Sequence, residues 1–243
     1  MRYEILLFDA DDTLFDFQQS EREAFLRTLR TFGIDSGACG PDGIEGSGLL
    51  GIYRRINEAL WKAFERGETT QAVLKVERFR QLGAALEANF DPQVFADAYE
   101  ETLGNTCILL AGAEDLVRRL ARTHRMAIVT NGLKRVQENR IVRAPIADCF
   151  KTVVISEAVG VSKPDAAIFG LTLDRLGHAD RRTVLMVGDS LASDIRGGRN
   201  AGIDTCWYNP RGHEAGDADR PTHEIRVLQD LLALPGMEGA SRE

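Results

Sequence analysis

The stretch ILLFDADDTLFD (residues 5–16) gives the clearest indication of how this chain folds and where its chemistry lies. Its apolar first half has the length and composition of a buried β-strand, and Asp9, Asp11 and Asp12 follow that strand almost at once. The whole chain has a net charge of −7, so its global charge offers these carboxylates no favourable partner. We therefore expect a metal cation, or a basic side chain from a distant part of the sequence, to compensate them.

Buried strands alternate with helices through most of the chain. Apolar run length and flanking turn residues predict strands at Tyr3–Phe8, Met126–Thr130, Thr152–Ile155, Thr183–Val187 and Thr205–Tyr208. Helical periodicity between the later strands covers Val136–Ile141, Pro164–Leu176 and Leu191–Ala201. Pro164 suits a first helical turn, and Gly177 and Gly202 suit positions just after a helix. This alternation predicts the α/β class, with a doubly wound, parallel, Rossmann-like sheet.

The stretch from residue 17 to residue 106 interrupts this alternation with an all-helical pattern. Helices are predicted at Glu21–Phe32, Ile52–Arg66, Gln71–Asn89 and Pro92–Leu103. Ser20 and Glu23 form a capping-box pattern at the first helix, and the glycine-rich stretch Gly37–Gly51 predicts a mobile loop after it. We expect residues 1–16 and 107–235 to form the core domain, 17–106 an inserted helical domain, and 236–243 a flexible tail.

The composition argues against several classes of protein. Apolar runs fall short of the ~18 residues that span a bilayer, and the N-terminus lacks a signal-peptide pattern, so we expect a cytoplasmic protein without membrane contact. The 4 cysteines and 4 histidines lack the spacing of zinc ligands, which predicts reduced thiols and no zinc site. Acidic residues outnumber basic ones by 37 to 30, which disfavours a nucleic-acid partner. Monomer and homodimer both stay open.

Two polar motifs lie at the ends of predicted strands. Asp9 can attack an electrophile, and Asp11, two residues on, can shuttle a proton. The motif Thr130-Asn131-Gly132 offers a hydroxyl and backbone N–H groups at a helix start, where anions bind. Each motif alone is also compatible with an ordinary turn. In a parallel sheet, however, both lie at the edge where such sheets bind ligands.

Two further motifs lie in the second half of the chain. Lys163, before a proline in VGVSKPD, places an ammonium at a predicted helix start, where the helix dipole disfavours it. That position suggests an anionic ligand, although a solvated surface lysine is equally compatible. Asp189 directly follows a predicted strand, and Asp194 lies in the first turn of the next helix. Such hard oxygen ligands suit Mg²⁺, while Asp194 alone could simply favour the helix dipole.

The order of these motifs, DxDxT, then Thr130, then Lys163, then GDxxxD, resembles the haloacid dehalogenase (HAD) superfamily of phosphatases. The four motifs extend from Asp9 to Asp194, and the helical insertion between the first two resembles the C1-type cap of that family. The resemblance implies a Rossmann-like core with a helical cap. It also implies Mg²⁺-dependent hydrolysis of a small phosphorylated substrate.

The resemblance implies a role for each motif residue. Asp9 would be the nucleophile that forms an aspartyl-phosphate, and Asp11 would protonate the leaving alcohol and later deprotonate the attacking water. The Mg²⁺ ligands would be the Asp9 side chain, the Asp11 backbone carbonyl and the Asp189 side chain.

The remaining motif residues would bind phosphate or support its ligands. The hydroxyl of Thr130, the backbone of Asn131 and the ammonium of Lys163 would hold the phosphoryl oxygens. Asp194 would hold a metal-bound water or Lys163. Asp12 would be solvated and incidental.

Several stretches are similar to one branch of the superfamily, the YjjG-type pyrimidine 5′-nucleotidases. They are FDADDTLFDF, ERGETT, VISEAVGVSKPDAAIF, VLMVGDSLASDIRGG and NAGIDTCWYN. This similarity implies a nucleoside monophosphate substrate such as UMP, dUMP or dTMP. Trp61, Phe64 and Arg78 in the cap could contact the base. We favour the alternative, in which the two aromatics pack between cap and core and Arg78 forms an exposed ion pair, and we expect Trp207 in the core.

Other functions are compatible with parts of the same pattern. A sugar-phosphate or phosphoglycolate phosphatase would use the same core, whereas a haloacid dehalogenase would have a non-acidic residue in place of Asp11. A non-catalytic phospho-acceptor receiver also uses a strand-end aspartate, a threonine and a lysine, but such domains lack the large insertion. A nucleotide-binding Rossmann module would need GxGxxG after the first strand, where this chain has DADDT.

Overall fold

The computed structural model describes residues 2–34, 48–216 and 220–237. The chain divides into two compact units. The first, here called the core unit, comprises Met1–Phe17, Cys107–Gln137 and Ile141–Glu243. The second, the helical unit, comprises Gln18–Thr106 and Glu138–Arg140.

A parallel sheet organises the core unit and confirms the predicted α/β class. Within the described residues its strands are β1 (Ile5–Phe8), β2 (Arg125–Thr130), β3 (Thr152–Ile155), β4 (Val184–Gly188), β5 (Asp204–Tyr208) and β6 (His223–Ile225). They are arranged in the order β3-β2-β1-β4-β5-β6. The sequence predicts the first five within two residues at each end. It does not predict β6, because three residues with two polar side chains show no strand pattern.

The central position of β1 determines what lies beside it. Phe8 at the end of β1 is in register with Ile128 of β2 on one side and with Val187 of β4 on the other. The carboxyl ends of these three strands are therefore adjacent. Residues that end or follow them are brought to one edge of the sheet.

The described residues of the helical unit are dominated by four helices, as the sequence predicts. They are α1 (Phe17–Thr31), α2 (Leu49–Glu65), α3 (Gln71–Ala85) and α4 (Pro92–Gly104). The predicted capping box is wrong, because α1 begins at Phe17 and Ser20 is buried within it. The predicted loop Gly37–Gly51 is wrong at its end, because α2 already begins at Leu49, and residues 35–47 lie outside the described residues.

Stacked aromatic rings fill the interior of the helical unit. Tyr53 lies between Phe25, with ring centroids 4.7 Å apart, and Phe79, with centroids 5.6 Å apart. Phe79 also contacts Phe95 at a centroid distance of 4.9 Å. Rings of this size bury large apolar areas and add roughly 0.5–1.5 kcal/mol per favourable pair. The unit therefore has a hydrophobic core of its own.

Among the described residues, five further α-helices follow: α5 (Ala113–Leu120), α6 (Lys134–Arg143), α7 (Ser156–Val159), α8 (Ala166–Leu176) and α9 (Arg196–Asn200). They belong to the core unit except for Glu138–Arg140 of α6. Of these, α5 and α7 lie outside the predicted helices. Pro164 precedes α8 rather than occupying its first turn, because Asp165 is the N-cap and accepts from the Ala167 N–H. Gly177 ends α8 in the left-handed conformation (φ 60°), as predicted. The predicted helix Leu191–Ala201 consists of a π-helical turn, Leu191–Ile195, followed by α9.

Both faces of the sheet are buried. In β1, Leu6 and Phe8 belong to one hydrophobic cluster, and Ile5 and Leu7 belong to the cluster on the opposite face. Met237 is also buried in the first of these clusters, and the Tyr3 N–H donates to the Gly236 carbonyl at 2.8 Å. Packing thus continues past Pro235, and only residues 238–243 of the predicted tail lie outside the described residues.

Among residues 2–34, 48–216 and 220–237, no helix is both long enough and apolar enough to cross a bilayer.

Two valines test the contribution of the sheet core. Val184→Ala removes two fully buried methyl groups at the start of β4, and we expect it to cost about 2–3 kcal/mol of unfolding free energy. Val142→Ala makes the same change at a side chain that is 77% exposed and is expected to stay within about 0.5 kcal/mol of the parent. Urea unfolding of both variants measures the difference. Equal losses would contradict this description of the core.

Candidate active site

Three of the predicted site residues meet at the carboxyl ends of the central strands. Asp9 follows β1 and its backbone N–H donates to the Val187 carbonyl of β4 at 2.9 Å. Thr130 is the last residue of β2, and Asp189 directly follows β4. Because β1 lies between β2 and β4, the three side chains share one edge of the sheet. The topology therefore assembles this part of the site without any long loop.

Lys163 lies in the interior of this site. Its Nζ donates to Asp9 Oδ1 at 2.5 Å and to Asp194 Oδ1 at 2.7 Å, and the residue is only 2% exposed. The alternative of a solvated surface lysine is therefore wrong. An ammonium removed from water is costly unless it is paired, and here two carboxylates pair with it.

The Asn131 side chain fixes the backbone of Lys163. Its Nδ2 donates to the Lys163 carbonyl at 2.8 Å, and its Oδ1 accepts from the Lys163 N–H at 2.9 Å. Thr130 Oγ1 meanwhile accepts from the Gly132 N–H at 3.1 Å. The sequence predicts only a backbone role for Asn131. The structure shows in addition that this residue ties the strand end of β2 to the segment that presents Lys163.

Asp194 holds the ammonium of Lys163 in place. It is fully buried; Oδ1 accepts from Lys163, and Oδ2 accepts from the Ser190 N–H at 3.0 Å. A side chain at Gly188 would not fit, because its Cβ would lie 2.2 Å from Asp194 Oδ2. The alternative in which Asp194 only complements a helix dipole is therefore wrong, and glycine at position 188 is a steric requirement of the site.

The acidic residues have a geometry that suits a cation. Among the described residues, Asp9, Asp189 and Asp194 each offer a carboxylate oxygen, and these oxygens lie within 4.8 Å of one another. Both Asp194 oxygens already accept hydrogen bonds, which leaves the side chains of Asp9 and Asp189 as the better candidates for metal ligands. Hard carboxylate oxygens at this density fit Mg²⁺.

Burial and crowding perturb the charges of the site. Desolvation, together with the nearby acids Asp194 and Asp11, raises the pKa of Asp9 to about 7 despite the ammonium of Lys163. Desolvation and the charges of Asp9 and Asp194 likewise raise the pKa of Asp189 well above its ordinary range. For Lys163, desolvation works to lower the pKa, but the two paired carboxylates outweigh it and the pKa is raised. The site therefore has excess negative charge.

Two residues that the sequence does not predict as part of the site form hydrogen bonds with its acidic residues. Gln137 on α6 is 1% exposed, and its Nε2 donates to Asp11 Oδ2 at 2.7 Å. Trp207 is in the core as predicted, but its Nε1 also donates to the Asp189 carbonyl at 2.8 Å. The sequence contains a signal for each of them. Gln137 lies one turn into the helix after Thr-Asn-Gly, and Trp207 places an indole on the strand next to β4.

The candidate base-contacting residues lie in the helical unit. Trp61 and Phe64 are half-buried on α2 and pack edge to face with centroids 5.7 Å apart. Arg78 is 2% exposed, with Nη1 donating to Asn57 Oδ1 at 3.3 Å and its guanidinium 4.8 Å from the Phe79 ring centroid. The expected exposed ion pair is therefore wrong. Arg78 is part of a buried polar network inside this unit.

A family model and solved structures match this chain. The family model described as haloacid dehalogenase-like hydrolase matches residues 3–202. The crystal structure of the HAD-hydrolase YfnB from Bacillus subtilis bound to magnesium has a TM-score of 0.85 and 33% sequence identity. That match covers 96% of this chain and 98% of YfnB.

Two bacterial relatives match over nearly the same length. Pyrimidine 5′-nucleotidase YjjG from Escherichia coli is 34% identical over 236 residues, covering 96% of this chain and 98% of the relative. Pyrimidine 5′-nucleotidase PynA from Streptococcus pneumoniae is 34% identical over 233 residues, covering 96% and 94%. The similarity thus includes the helical unit as well as the core unit.

Charge crowding at Asp189 predicts a pH-dependent stability. Its pKa is raised on folding, so the folded protein binds more protons than the unfolded chain and loses stability as pH rises from about 4 through the raised value. In chelator-treated protein at pH 8, Asp189→Asn should therefore raise Tm, by about 2–4 °C per kcal/mol of repulsion removed. The gain should disappear near pH 4.

The control is Asp180, a surface aspartate whose pKa is lowered rather than raised. Hydrogen bonds from Arg182 lower the pKa of Asp180 to about 2, so Asp180→Asn removes a favourable pairing and should not raise Tm at pH 8. Thermal unfolding of both variants at pH 4 and pH 8 measures the effect. If the two variants behave alike, crowding is not the cause of the shift at Asp189.

Proposed function

The chain belongs to the haloacid dehalogenase-like hydrolases, and from this premise we propose that it hydrolyses phosphate monoesters with Asp9 as the nucleophile. The observation that supports this best is the buried contact of Lys163 with Asp9, beside Asp189 and at the end of the central strand. That arrangement presents a carboxylate oxygen next to a fixed positive charge. A phosphoryl group needs both at the point of attack.

The proposed reaction proceeds in two transfers. Asp9 attacks phosphorus, the bond from phosphorus to the ester oxygen breaks, and Asp11 gives its proton to the leaving alkoxide. The ionised Asp11 then takes a proton from water, which attacks the aspartyl-phosphate and releases inorganic phosphate. Asp9 is regenerated and Asp11 is again protonated. Lys163, the Thr130 hydroxyl and the backbone N–H of Asn131 stabilise the phosphoryl oxygens throughout.

Mg²⁺ is the proposed cofactor. The side chains of Asp9 and Asp189 and the backbone carbonyl of Asp11 would hold it, and Asp194 would keep Lys163 in place. The ion would supply positive charge that offsets the repulsion between these acids and a phosphate dianion. The hydrogen bond from Trp207 to the Asp189 carbonyl fixes the backbone of one residue that would hold the ion.

The proposed substrate is a pyrimidine nucleoside 5′-monophosphate. This specificity is supported by the two pyrimidine 5′-nucleotidases, whose similarity covers the helical unit, which we propose to be the cap. Trp61 and Phe64 are partly exposed and present flat apolar surface suited to a base, so they are the preferred candidates for base contact. Arg78 is a weaker candidate, because its guanidinium is already bound inside the helical unit.

A substrate panel tests reaction class and specificity together. Phosphate release would be measured for UMP, dUMP, dTMP, AMP, GMP and IMP, and for sugar phosphates and phosphoglycolate, with Mg²⁺ and with EDTA. We expect turnover of the pyrimidine nucleotides with Mg²⁺ and none with EDTA or in Asp9→Asn. Asp12→Asn makes the same change at the neighbouring acid and is expected to retain most activity. Turnover without metal would contradict the proposal, and a preference for sugar phosphates would revise the substrate.

Asp11 is expected to act on rate rather than on binding. Asp11→Asn keeps the size of the side chain but cannot exchange a proton, so we expect kcat to fall about 10²–10⁴-fold with little change in KM. Steady-state kinetics on the best substrate of the panel measures both values. A rise in KM with unchanged kcat would exclude the acid–base role.

A further inference from the structure

We propose that Gln137 is a positioning residue for this reaction, because it holds the Asp11 carboxylate in the orientation that proton transfer requires. This inference rests on the proposed function and assigns to that site a residue outside its four motifs. The contact is between Gln137 Nε2 and Asp11 Oδ2, at 2.7 Å.

The backbone around Gln137 is held at both ends of the first turn of α6. Its N–H donates to the Leu133 carbonyl at 2.9 Å, and the Lys134 N–H donates to Glu157 Oε2 at 2.7 Å. The side chain itself is 1% exposed. A buried amide group normally needs hydrogen-bond partners within the protein, and this one donates to a residue 126 positions away in the sequence. Gln137 is therefore a fixed donor rather than a mobile surface group.

The turn after β2 has a glycine where the side chain of Gln137 passes. A Cβ at Gly132 would lie 2.1 Å from Gln137 Nε2 and 2.8 Å from its Cδ, so a side chain at this position would overlap the amide. Gly132 also donates its N–H to Thr130 Oγ1 at 3.1 Å. The same turn thus places a proposed phosphate-binding hydroxyl and leaves space for the amide that reaches Asp11.

The hydrogen bond restricts a torsion that is otherwise soft. Rotation of an aspartate carboxylate about its Cβ–Cγ bond has broad minima, so an unrestrained Asp11 would sample many directions. A donor fixed on Oδ2 restricts the carboxylate to a narrow range of these directions. Such alignment matters most when the leaving group needs a proton, since a small misplacement lowers the rate of transfer.

Leaving-group dependence separates positioning from general damage. Gln137→Met has nearly the same length but no donor, and we expect kcat/KM for the best nucleotide or sugar phosphate of the panel to fall about tenfold or more, mainly through kcat. For p-nitrophenyl phosphate, whose leaving group departs without a proton, the fall should be less than about threefold. Asp11→Asn should show the same pattern, and Gln137→Met should add little to it.

Two further variants keep the test decisive. Gln137→Asn retains the amide on a side chain one methylene shorter and should reproduce the leaving-group pattern even if the methionine variant folds poorly. Gln229→Met is the matched control: Gln229 is exposed in the same unit, and its Nε2 donates to the Gly112 carbonyl at 3.2 Å. This control should match the parent on both substrates.

The outcomes distinguish this inference from the proposed function. If the parent protein releases no phosphate from any substrate, the proposed function fails. If the parent is active but the Gln137 variants retain full kcat/KM, or lose kcat/KM equally on both leaving groups, only the positioning role is overturned. A change confined to KM would also overturn it.

Discussion

The ammonium of Lys163 lies enclosed between the carboxylates of Asp9 and Asp194, and the arrangement of the candidate site depends on this contact. Buried carboxylates and a buried ammonium are costly unless they are paired, and removing one partner from a buried pair typically costs about 3–5 kcal/mol. The surrounding hydrogen bonds serve the same contact. Asn131 fixes the backbone that carries the lysine, and the Ser190 N–H fixes the far side of Asp194. Parts of the chain distant in sequence are thereby held in one relative position.

Two glycines show how closely the backbone follows the chemistry. Gly188 leaves room for the carboxylate of Asp194, and Gly132 leaves room for the amide of Gln137. Neither glycine adopts a left-handed backbone conformation. At both positions, a neighbouring side chain leaves no room for a Cβ atom. The central strands bring the acidic residues together. The missing side chains at these two glycines let the amide of Gln137 reach Asp11 and the carboxylate of Asp194 reach Lys163.

Sequence patterns predict well whatever depends on local periodicity or on strand order. The strands β1 to β5, the four helices of the helical unit and the convergence of Asp9, Thr130 and Asp189 follow from apolar runs and from the properties of parallel sheets. Contacts between distant side chains are not encoded locally. The burial of Lys163, the use of the Asn131 side chain and the reach of Gln137 to Asp11 depend on how segments pack.

The same limit explains the errors in the helical unit. Ser20 and Glu23 have capping-box spacing, but Ser20 is buried inside a helix that extends three residues further toward the N-terminus. Arg78 resembles a surface charge in the sequence, yet it is buried among Tyr53, Asn57 and aromatic rings. In both cases tertiary packing overrides a local preference, because the hydrophobic face of a helix decides its position more strongly than a single polar residue does.

The charge balance of the site favours the binding of a cation. In the described part of the site, the carboxylates of Asp9, Asp189 and Asp194 cluster around the ammonium of Lys163, and the carboxylate of Asp11 lies near Asp9. Fully ionised, the three clustered carboxylates and the ammonium sum to −2, and burial and mutual repulsion raise the pKa values of Asp9 and Asp189. One divalent ion has the charge to offset that sum. Under the proposed function, such an ion would lower the repulsion that a phosphate dianion meets when it approaches Asp9.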